Sequence, residues 1–304
     1  MSRRKSLLLM GSTGFLGSAV LDRFKSEHLQ DWEILISRST SSENPIFITL
    51  LDSNLKPSST LDSSNLAEFS NSELVVINCA SSRNSRNEDL SRQGNFEFPK
   101  RVLEVLLAVK GLNTKWVQIE TFWQYSKTPI PDASYVLWKN RFSVMLAESS
   151  RNKSFEVEKL VLPHLFGPFD GPNRFLPKLF LKLLRNEDVY VDSPEELFCL
   201  ADVRDVSDHL VRTFGNAKTN QDSSALLFPF HELSLRDVLY RFLAIVDSKS
   251  RIQFERLAKV SNPALILSEQ PPLLTSEKQL LRGLDSTFAD IAQWLSEPHW
   301  IDNL

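Results

Sequence analysis

The chain is poor in glycine and cysteine, and it has no long apolar run. Two cysteines, Cys79 and Cys199, occur in 304 residues. That excludes a disulfide framework, and no Cys/His cluster has the spacing of a zinc site. Both cysteines sit in apolar runs, which suits buried thiols in a reducing compartment. No apolar stretch approaches the roughly 20 residues of a membrane span, so no membrane partner is expected. There is no excess of positive charge either. Lys and Arg total 35 against 38 Asp and Glu, a formal net charge of −3, which removes the electrostatic case for nucleic acid. The start, MSRRKSLLLM, has the charge and apolarity of a secretory leader, but its apolar run breaks at Gly11 and no small-residue cleavage site follows. A buried strand and a cytoplasmic protein are the expectation. Hydrophobic residues make up 42%, ample for a packed interior.

With nine glycines in the whole chain, Gly11-Ser12-Thr13-Gly14-Phe15-Leu16-Gly17 stands out. It follows the apolar run Leu7-Leu8-Leu9-Met10, so it reads as strand, glycine turn and helix start. Such a turn lets backbone approach a dinucleotide pyrophosphate, and the helix N-terminus offers N–H groups to the anion. Gly11, Thr13, Gly14, Phe15, Leu16 and Gly17 are therefore expected at the cofactor. The spacing is G-x-x-G-x-x-G, which alone recurs by chance.

Apolar strand-like runs at 6–10, 33–37, 46–51, 74–79, 116–119 and 157–162 alternate with helical patterns at 15–26, 98–109 and 135–149. That predicts an α/β fold, a doubly wound parallel sheet of Rossmann type. The serine-rich stretch 53–72 reads as loop and short helix at the sheet edge. Beyond Leu162 the texture changes. A turn-rich loop, 167–173, precedes helical patterns at 175–184, 204–214, 235–246 and 285–295. The expected division is a dinucleotide-binding core, 1–162, and a smaller C-terminal α/β substrate lobe, 163–304, interleaved with the last core elements.

The second strand ends in Ser37-Arg38, where an acidic residue would bind the ribose hydroxyls of NAD. A guanidinium suits a 2′-phosphate, so NADP(H) is preferred and NAD(H) is the alternative. Asp52 is placed after the third strand near the adenine, Ala80 at the fourth strand end against the cofactor, and Ser81 on the substrate side. Thr121 stands at the end of the fifth strand. Tyr135 and Lys139 are one helical turn apart, and an ammonium beside a phenol favours phenolate. Thr121, Tyr135 and Lys139 are the catalytic candidates, with Tyr135 and Lys139 also at the cofactor. Tyr125 is the rival tyrosine, but Pro129 takes the place of its lysine.

These residues carry a resemblance. The chain resembles the extended short-chain dehydrogenase/reductases, the NAD-dependent epimerase/dehydratase superfamily, over nearly its whole length. Within them it is most similar to NDP-4-keto-6-deoxysugar reductases such as CDP-abequose and CDP-paratose synthases. Glu120-Thr121-Phe122 is similar to their Asp-Thr-Phe, and the interval to Tyr135 is short, as theirs is. The run from Leu162 through His164-Leu165-Phe166-Gly167-Pro168 to Asn173-Arg174-Phe175 is similar to their Leu-Glu-His-x-Tyr-Gly-Pro followed by Asn-Lys-Phe. The resemblance implies an NADPH-dependent 4-ketoreductase acting on a nucleoside-diphosphate 4-keto-deoxyhexose, in deoxysugar or polysaccharide synthesis. A nucleotide-sugar epimerase with bound NAD and a non-catalytic NADP-binding regulatory protein are the alternatives. It also implies His164 at the cofactor–substrate junction, although a lone histidine after a strand equally suits a structural role. Asn173 and Arg174 are implied at the substrate, and a homodimer through the Tyr135 helix. Asn95 reads either as a buried polar group behind the site or as a helix cap, and Phe122-Trp123 either as a site border or as core. One departure is clear. Val203-Arg204-Asp205-Val206 is present, but Phe198-Cys199 fills the preceding Arg-Asp place, so Arg174 is expected to supply the missing cation.

Overall fold

The computed structural model describes residues 5–26, 32–38, 47–51, 56–61, 72–83, 87–126, 132–151, 155–215, 225–254, 271–274 and 281–297. Eight strands form the main sheet. They are β1 (Lys5–Met10), β2 (Trp32–Arg38), β3 (Phe47–Leu51), β4 (Pro57–Leu61), β5 (Glu73–Asn78), β6 (Asn113–Thr121), β7 (Phe155–Leu162) and β11 (Ala225–Leu227). Their order across the sheet is β11-β7-β6-β5-β1-β2-β3-β4.

Six neighbours, from β11 to β2, are parallel. At the far edge β3 and β4 run antiparallel. Here the reading of 53–72 needs correction, because 57–61 is a strand rather than loop or helix. Its Pro57 opens an edge strand, where no ladder hydrogen bond is lost. Residues 52–55 and 62–71 lie outside the described residues, Asp52 among them.

Both faces of β1 are buried, as its unbroken apolar run requires. Leu7 and Leu9 face one way, into a core with Leu16, Val20 and Phe24 of α1 (Phe15–Ser26) and with Val206 and Leu210 of α6 (Val203–Gly215). Leu8 and Met10 face the other, with Val102 and Leu106 of α3 (Phe98–Ala108) and Phe142 and Leu146 of α4 (Ala133–Ser149). From β1 the chain moves out to β2 on one side and later returns to β5 on the other. The carboxyl ends of β1 and β5 therefore flank a topological switch point, where open α/β sheets bind their ligands.

The C-terminal half builds a second core. It is formed by β8 (His164–Phe166), α5 (Phe175–Leu184), β9 (Val189–Val191), β10 (Leu197–Asp202), β12 (His231–Ser234), α7 (Leu235–Val246), β13 (Ile252–Phe254) and α8 (Leu284–Leu295). Phe180 of α5 stacks on Phe242 of α7 at 3.9 Å between ring centroids, and Phe288 of α8 meets both edge-on. Small sheets, β12-β10-β8 and β13-β9, lie here. The two halves interlock. β11 rejoins the main sheet after α6, and α6 packs on α1, where Arg23 pairs with Asp208 at 2.6 Å. The 203–206 motif has a structural use. Arg204 bridges Asp202 and Asp290, each at 2.6 Å, and Asp205 holds Arg282, so α8 is pinned to the start of α6. Among the described residues no helix is long and apolar enough to cross a membrane.

Candidate active site

The glycine turn closes the end of β1 by a bond from the Gly14 N–H to the Gly11 carbonyl, 3.0 Å. Gly11 has φ +73°, which disfavours any side chain, and a Cβ there would lie 2.7 Å from the Ala80 backbone. At Gly17 a Cβ would lie 2.1 Å from the Gly11 carbonyl oxygen, so this glycine sets how closely α1 seats against β1. Thr13 and Gly14 are exposed at the helix start. Phe15 is half-buried, and Leu16 points into the core, so its part at a ligand is limited to backbone.

At the end of β2, Ser37 is buried, and its hydroxyl has no hydrogen-bond partner among the described residues. The side chain of Arg38 lies outside the described residues. A cleared backbone cradle and an orphaned hydroxyl at the neighbouring strand end fit a dinucleotide lying across β1.

Beyond β5 the segment Ala80–Arg83 borders the site. Asn78 fixes its start, accepting the Ala80 N–H at 3.1 Å. Asn95 fixes its continuation. Its Nδ2 donates to the Ser82 and Ser91 carbonyls, both 2.7 Å, while its Oδ1 accepts the Ser82 N–H at 3.2 Å. Asn95 sits in a π turn, Gln93–Glu97, between α2 (Glu88–Arg92) and α3. The wider turn swings its amide toward the segment. It is therefore a buried clamp. The cap of α2 is Asn87, whose Oδ1 accepts the Leu90 N–H.

Asp132 caps α4 by accepting the Tyr135 N–H at 3.0 Å, which sets where that tyrosine emerges. The Tyr135 hydroxyl lies 3.5 Å from Ser81 Oγ. One turn on, Lys139 is only 4% exposed, its Nζ 5.6 Å from the Tyr135 ring centroid. The ammonium donates to the Ile119 carbonyl at 2.9 Å, an oxygen that also receives Gln118 Nε2. Gln118 in turn accepts from Asn78 and Trp116, so a buried polar chain joins the two strand ends to α4. Thr121 ends β6 and caps a short 3₁₀ turn, Phe122–Tyr125. Its Oγ1 accepts the Trp123 N–H at 3.4 Å, and its hydroxyl proton remains for another acceptor.

The rival Tyr125 has a different task. Its hydroxyl donates to Glu120, a buried carboxylate that also accepts from Ser143. Burial first, and then Glu120, push its pKa above the ordinary phenol value. It is committed as a donor within the structure.

The far wall is aromatic. Phe122 and Trp123 are buried and pack with Tyr135, Val136, Val161 and Leu227, so they are core and site border at once. His164, at the start of β8, lies among the rings of Phe122 (4.8 Å), Phe198 (5.2 Å) and Trp123 (6.0 Å). Its Nδ1 has no partner among the described residues. Burial, with a smaller contribution from Arg83, lowers its pKa to about 4, so the ring is neutral near neutral pH. Phe198 stacks on Phe175 at 5.9 Å, so that position of β10 holds an aromatic pair in place of an arginine. Asn173 is exposed. Arg174 precedes α5, and its Nε pairs with Asp170 at 3.1 Å. Burial raises the Asp170 pKa to about 6, against the pull of Arg174. Arg83, unnoticed in the sequence, rests on the Trp123 ring at 4.3 Å.

Thus Ser81, Thr121, Tyr135, Lys139 and His164 gather at the carboxyl ends of β5, β6 and β7. A phenol over a buried ammonium, with serine and threonine hydroxyls nearby, can deliver a proton to a carbonyl oxygen and take it back.

A family model described as the NAD dependent epimerase/dehydratase family matches residues 7–224, more than two-thirds of the chain. The chain belongs to that family. Solved structures agree in fold. A UDP-N-acetylglucosamine 4-epimerase from Methanobrevibacter ruminantium M1, in complex with UDP-N-acetylmuramic acid, is 14% identical with a TM-score of 0.70, covering 97% of this chain and 99% of its own. A GDP-L-fucose synthetase from Naegleria fowleri is 14% identical with a TM-score of 0.69, covering 97% and 95%. A UDP-glucuronic acid 4-epimerase from Bacillus cereus, in complex with UDP-glucuronic acid and NAD, is 14% identical with a TM-score of 0.68, covering 95% and 98%. The glycine turn and Ser37 fit the dinucleotide that the family name implies.

Proposed function

We propose that this member of the epimerase/dehydratase family is an NADPH-dependent 4-ketoreductase whose substrate is a nucleoside-diphosphate 4-keto-deoxyhexose. One arrangement carries the reading. Buried Lys139 supports Tyr135 at the sheet edge, while the two positions after Thr121 hold the buried aromatics Phe122 and Trp123. Water elimination needs acid–base groups beyond the tyrosine, and aromatic rings supply none. Net reduction of a carbonyl needs only the set that is here.

The dinucleotide, when bound, supplies the hydride. Gly11, Thr13, Gly14, Phe15, Leu16, Gly17, Ser37 and Ala80 would hold it, with Arg38 and Asp52 as further contacts proposed from sequence. Thr121 donates its free hydroxyl proton as a hydrogen bond to the substrate carbonyl. Tyr135 then transfers its proton to that oxygen as the carbon is reduced, and one C=O becomes one CH–OH. Lys139, held by the Ile119 carbonyl, keeps positive charge beneath the phenolate that remains. Ser81 orients the phenol, and neutral His164 offers a hydrogen bond without adding charge.

The second core, built on α5, α7 and α8, is the proposed substrate lobe within 163–304. Leu137 and Val144, seven residues apart on α4, are 43% and 63% exposed, which supports pairing of two copies through that helix.

The test is direct. Purified protein is mixed with NADPH and 4-keto-6-deoxyhexoses carried on each of several nucleoside diphosphates. Loss of NADPH absorbance matched by formation of the 4-hydroxy sugar is the expected result. Interconversion of sugar nucleotides with no net consumption of NADPH would instead make it an epimerase. Binding without turnover of any of them would overturn the enzymatic reading.

A further inference from the structure

Among the described residues Arg83, at the border of the site, makes no ion pair, and the nearest carboxylate that favours its charge, Asp132, acts only at a distance. Its segment is clamped by Asn95 through Ser82, so the guanidinium is presented from a fixed backbone. It lies 4.3 Å above the Trp123 ring and makes no hydrogen bond or ion pair with a described residue. The Trp123 ring meets Tyr135, at 6.3 Å and 85°, and His164, at 6.0 Å and 83°, with ring planes nearly perpendicular. Arg83 therefore lies over a ring that also touches the proposed reacting phenol. A guanidinium held over an aromatic ring by a cation–π contact keeps its N–H groups available for a bidentate anion.

A second cation stands nearby on another segment. Arg174 is held at Nε by Asp170 and is 57% exposed on its outer side. The two guanidiniums are close enough to repel one another. Arg174 is among the groups that disfavour the charge on Arg83, after burial itself, while Tyr135 and Asp132 favour it. Two like charges within electrostatic reach of one another, with Phe198 rather than a cation on β10, fit a ligand with more than one negative charge.

We propose that Arg83, stacked on Trp123, and Arg174 together anchor the diphosphate of the substrate, with Arg83 taking the phosphate next to the sugar. This rests on the sugar-nucleotide reading. A diphosphate offers two phosphoryl groups to two arginines, whereas a sugar carboxylate offers a single charge. On the proposed reading the cofactor's own pyrophosphate lies at the turn from Gly11 to Gly17, which leaves Arg83 for the other ligand.

The experiment is calorimetric titration of the NADPH-saturated protein with UDP, CDP, GDP, dTDP, inorganic pyrophosphate and glucuronate. It is run on the unaltered chain, on Arg83→Gln and on Arg174→Gln. Arg83→Gln is expected to weaken the preferred nucleoside diphosphate roughly ten- to a hundredfold. Arg83→Lys should recover part of this, since charge returns without the planar fork. NADPH affinity should stay unchanged in all three variants, and Tm in the two at Arg83; Arg174→Gln is read by affinity alone, because it also leaves the buried Asp170 without its ion-pair partner. Nucleoside diphosphate affinity unaltered in Arg83→Gln overturns the inference. So does a protein that binds glucuronate but no diphosphate, and in that case the sugar-nucleotide reading falls with it. Diphosphate binding that depends on Arg83, in a protein that reduces no 4-keto sugar nucleotide, leaves this site standing and refutes only the proposed reaction.

Discussion

Half-buried His164, its Nδ1 shielded among aromatic rings, makes a quantitative prediction about stability and pH. Its folded pKa is about 4, against roughly 6.5 in an open chain. Above both values the ring is neutral folded or unfolded, and it contributes no pH dependence. As pH falls through about 6.5, the unfolded chain takes up a proton and the folded protein does not, so stability is lost. The loss grows until about pH 4, where the folded ring also titrates. By linkage it reaches about 2 kcal/mol at about pH 5 and roughly 3 kcal/mol in full.

Asp170 works the opposite way. Its folded pKa of about 6 lies above its ordinary value of 3.8. The folded protein binds that proton more tightly, so this contribution is present at low pH and lost as pH rises through about 6. Between about pH 4 and pH 6 the two slopes oppose one another and hide each other in the unaltered chain. Removing one reveals the other. His164→Gln replaces the ring with an amide that does not titrate. Urea unfolding of variant and parent should be followed from about pH 7.5 to about pH 5. The variant should gain about 2 kcal/mol relative to the parent across that interval. Asp170→Asn should show the reverse, a gain near neutral pH that fades on acidification. If the His164→Gln difference is flat with pH, the imidazole is solvated or paired in the folded protein, and the buried aromatic pocket argued above is wrong.

Other consequences concern the chemistry and its scaffold. Tyr135→Phe keeps the ring packed against Phe122 and Trp123 and loses only a hydroxyl with one long contact to Ser81. Turnover should fall about 10²–10⁴-fold while Tm and NADPH affinity hold; full activity would mean that the proton comes from elsewhere. Arg38→Asp should weaken NADPH roughly ten- to a hundredfold more than NADH, by direct titration of both. Equal affinities in the unaltered protein would refute the preference. Gly17→Ala drives a methyl to 2.1 Å from the Gly11 carbonyl, and both are backbone-fixed. Overpacking of this kind costs about 1–3 kcal/mol. Thermal unfolding should show that loss together with weakened NADPH binding, and a variant unchanged in both would mean that α1 is not held against the turn.

How far the fold was legible in the chain follows from which forces left a local mark. The β1-turn-α1 unit was readable because an apolar run, three spaced glycines and a helical pattern adjoin in sequence. β4 was not. Pro57-Ser58-Ser59-Thr60-Leu61 has little apolar character, because an edge strand needs no buried second face, and only its pairing with β3 makes it a strand. For the same reason the antiparallel turn of the sheet at β3 escaped notice. Apolar content marks a buried strand and says nothing of its direction.

The site divides along the same line. Tyr135 and Lys139 were visible because helical spacing is local, whereas the supports that make them work are not. The carbonyl of Ile119 lies 20 residues before the ammonium it receives, and the Asn95 amide reaches back 13 residues to Ser82. Neither pairing follows from any spacing rule. The choice between two tyrosines shows how the kinds of argument join. Sequence favours Tyr135 because a lysine follows one turn later. Geometry disposes of Tyr125 independently, since its proton is committed to Glu120 and its pKa is raised. Arg83 is the opposite case. Nothing in Ala80-Ser81-Ser82-Arg83 distinguishes that arginine from a solvated one. Its meaning comes from Trp123, 40 residues away, which 3₁₀ geometry after Thr121 turns into the surface beneath it. A cation becomes a recognition element when tertiary structure holds it over an aromatic ring and gives it no ion pair among the described residues.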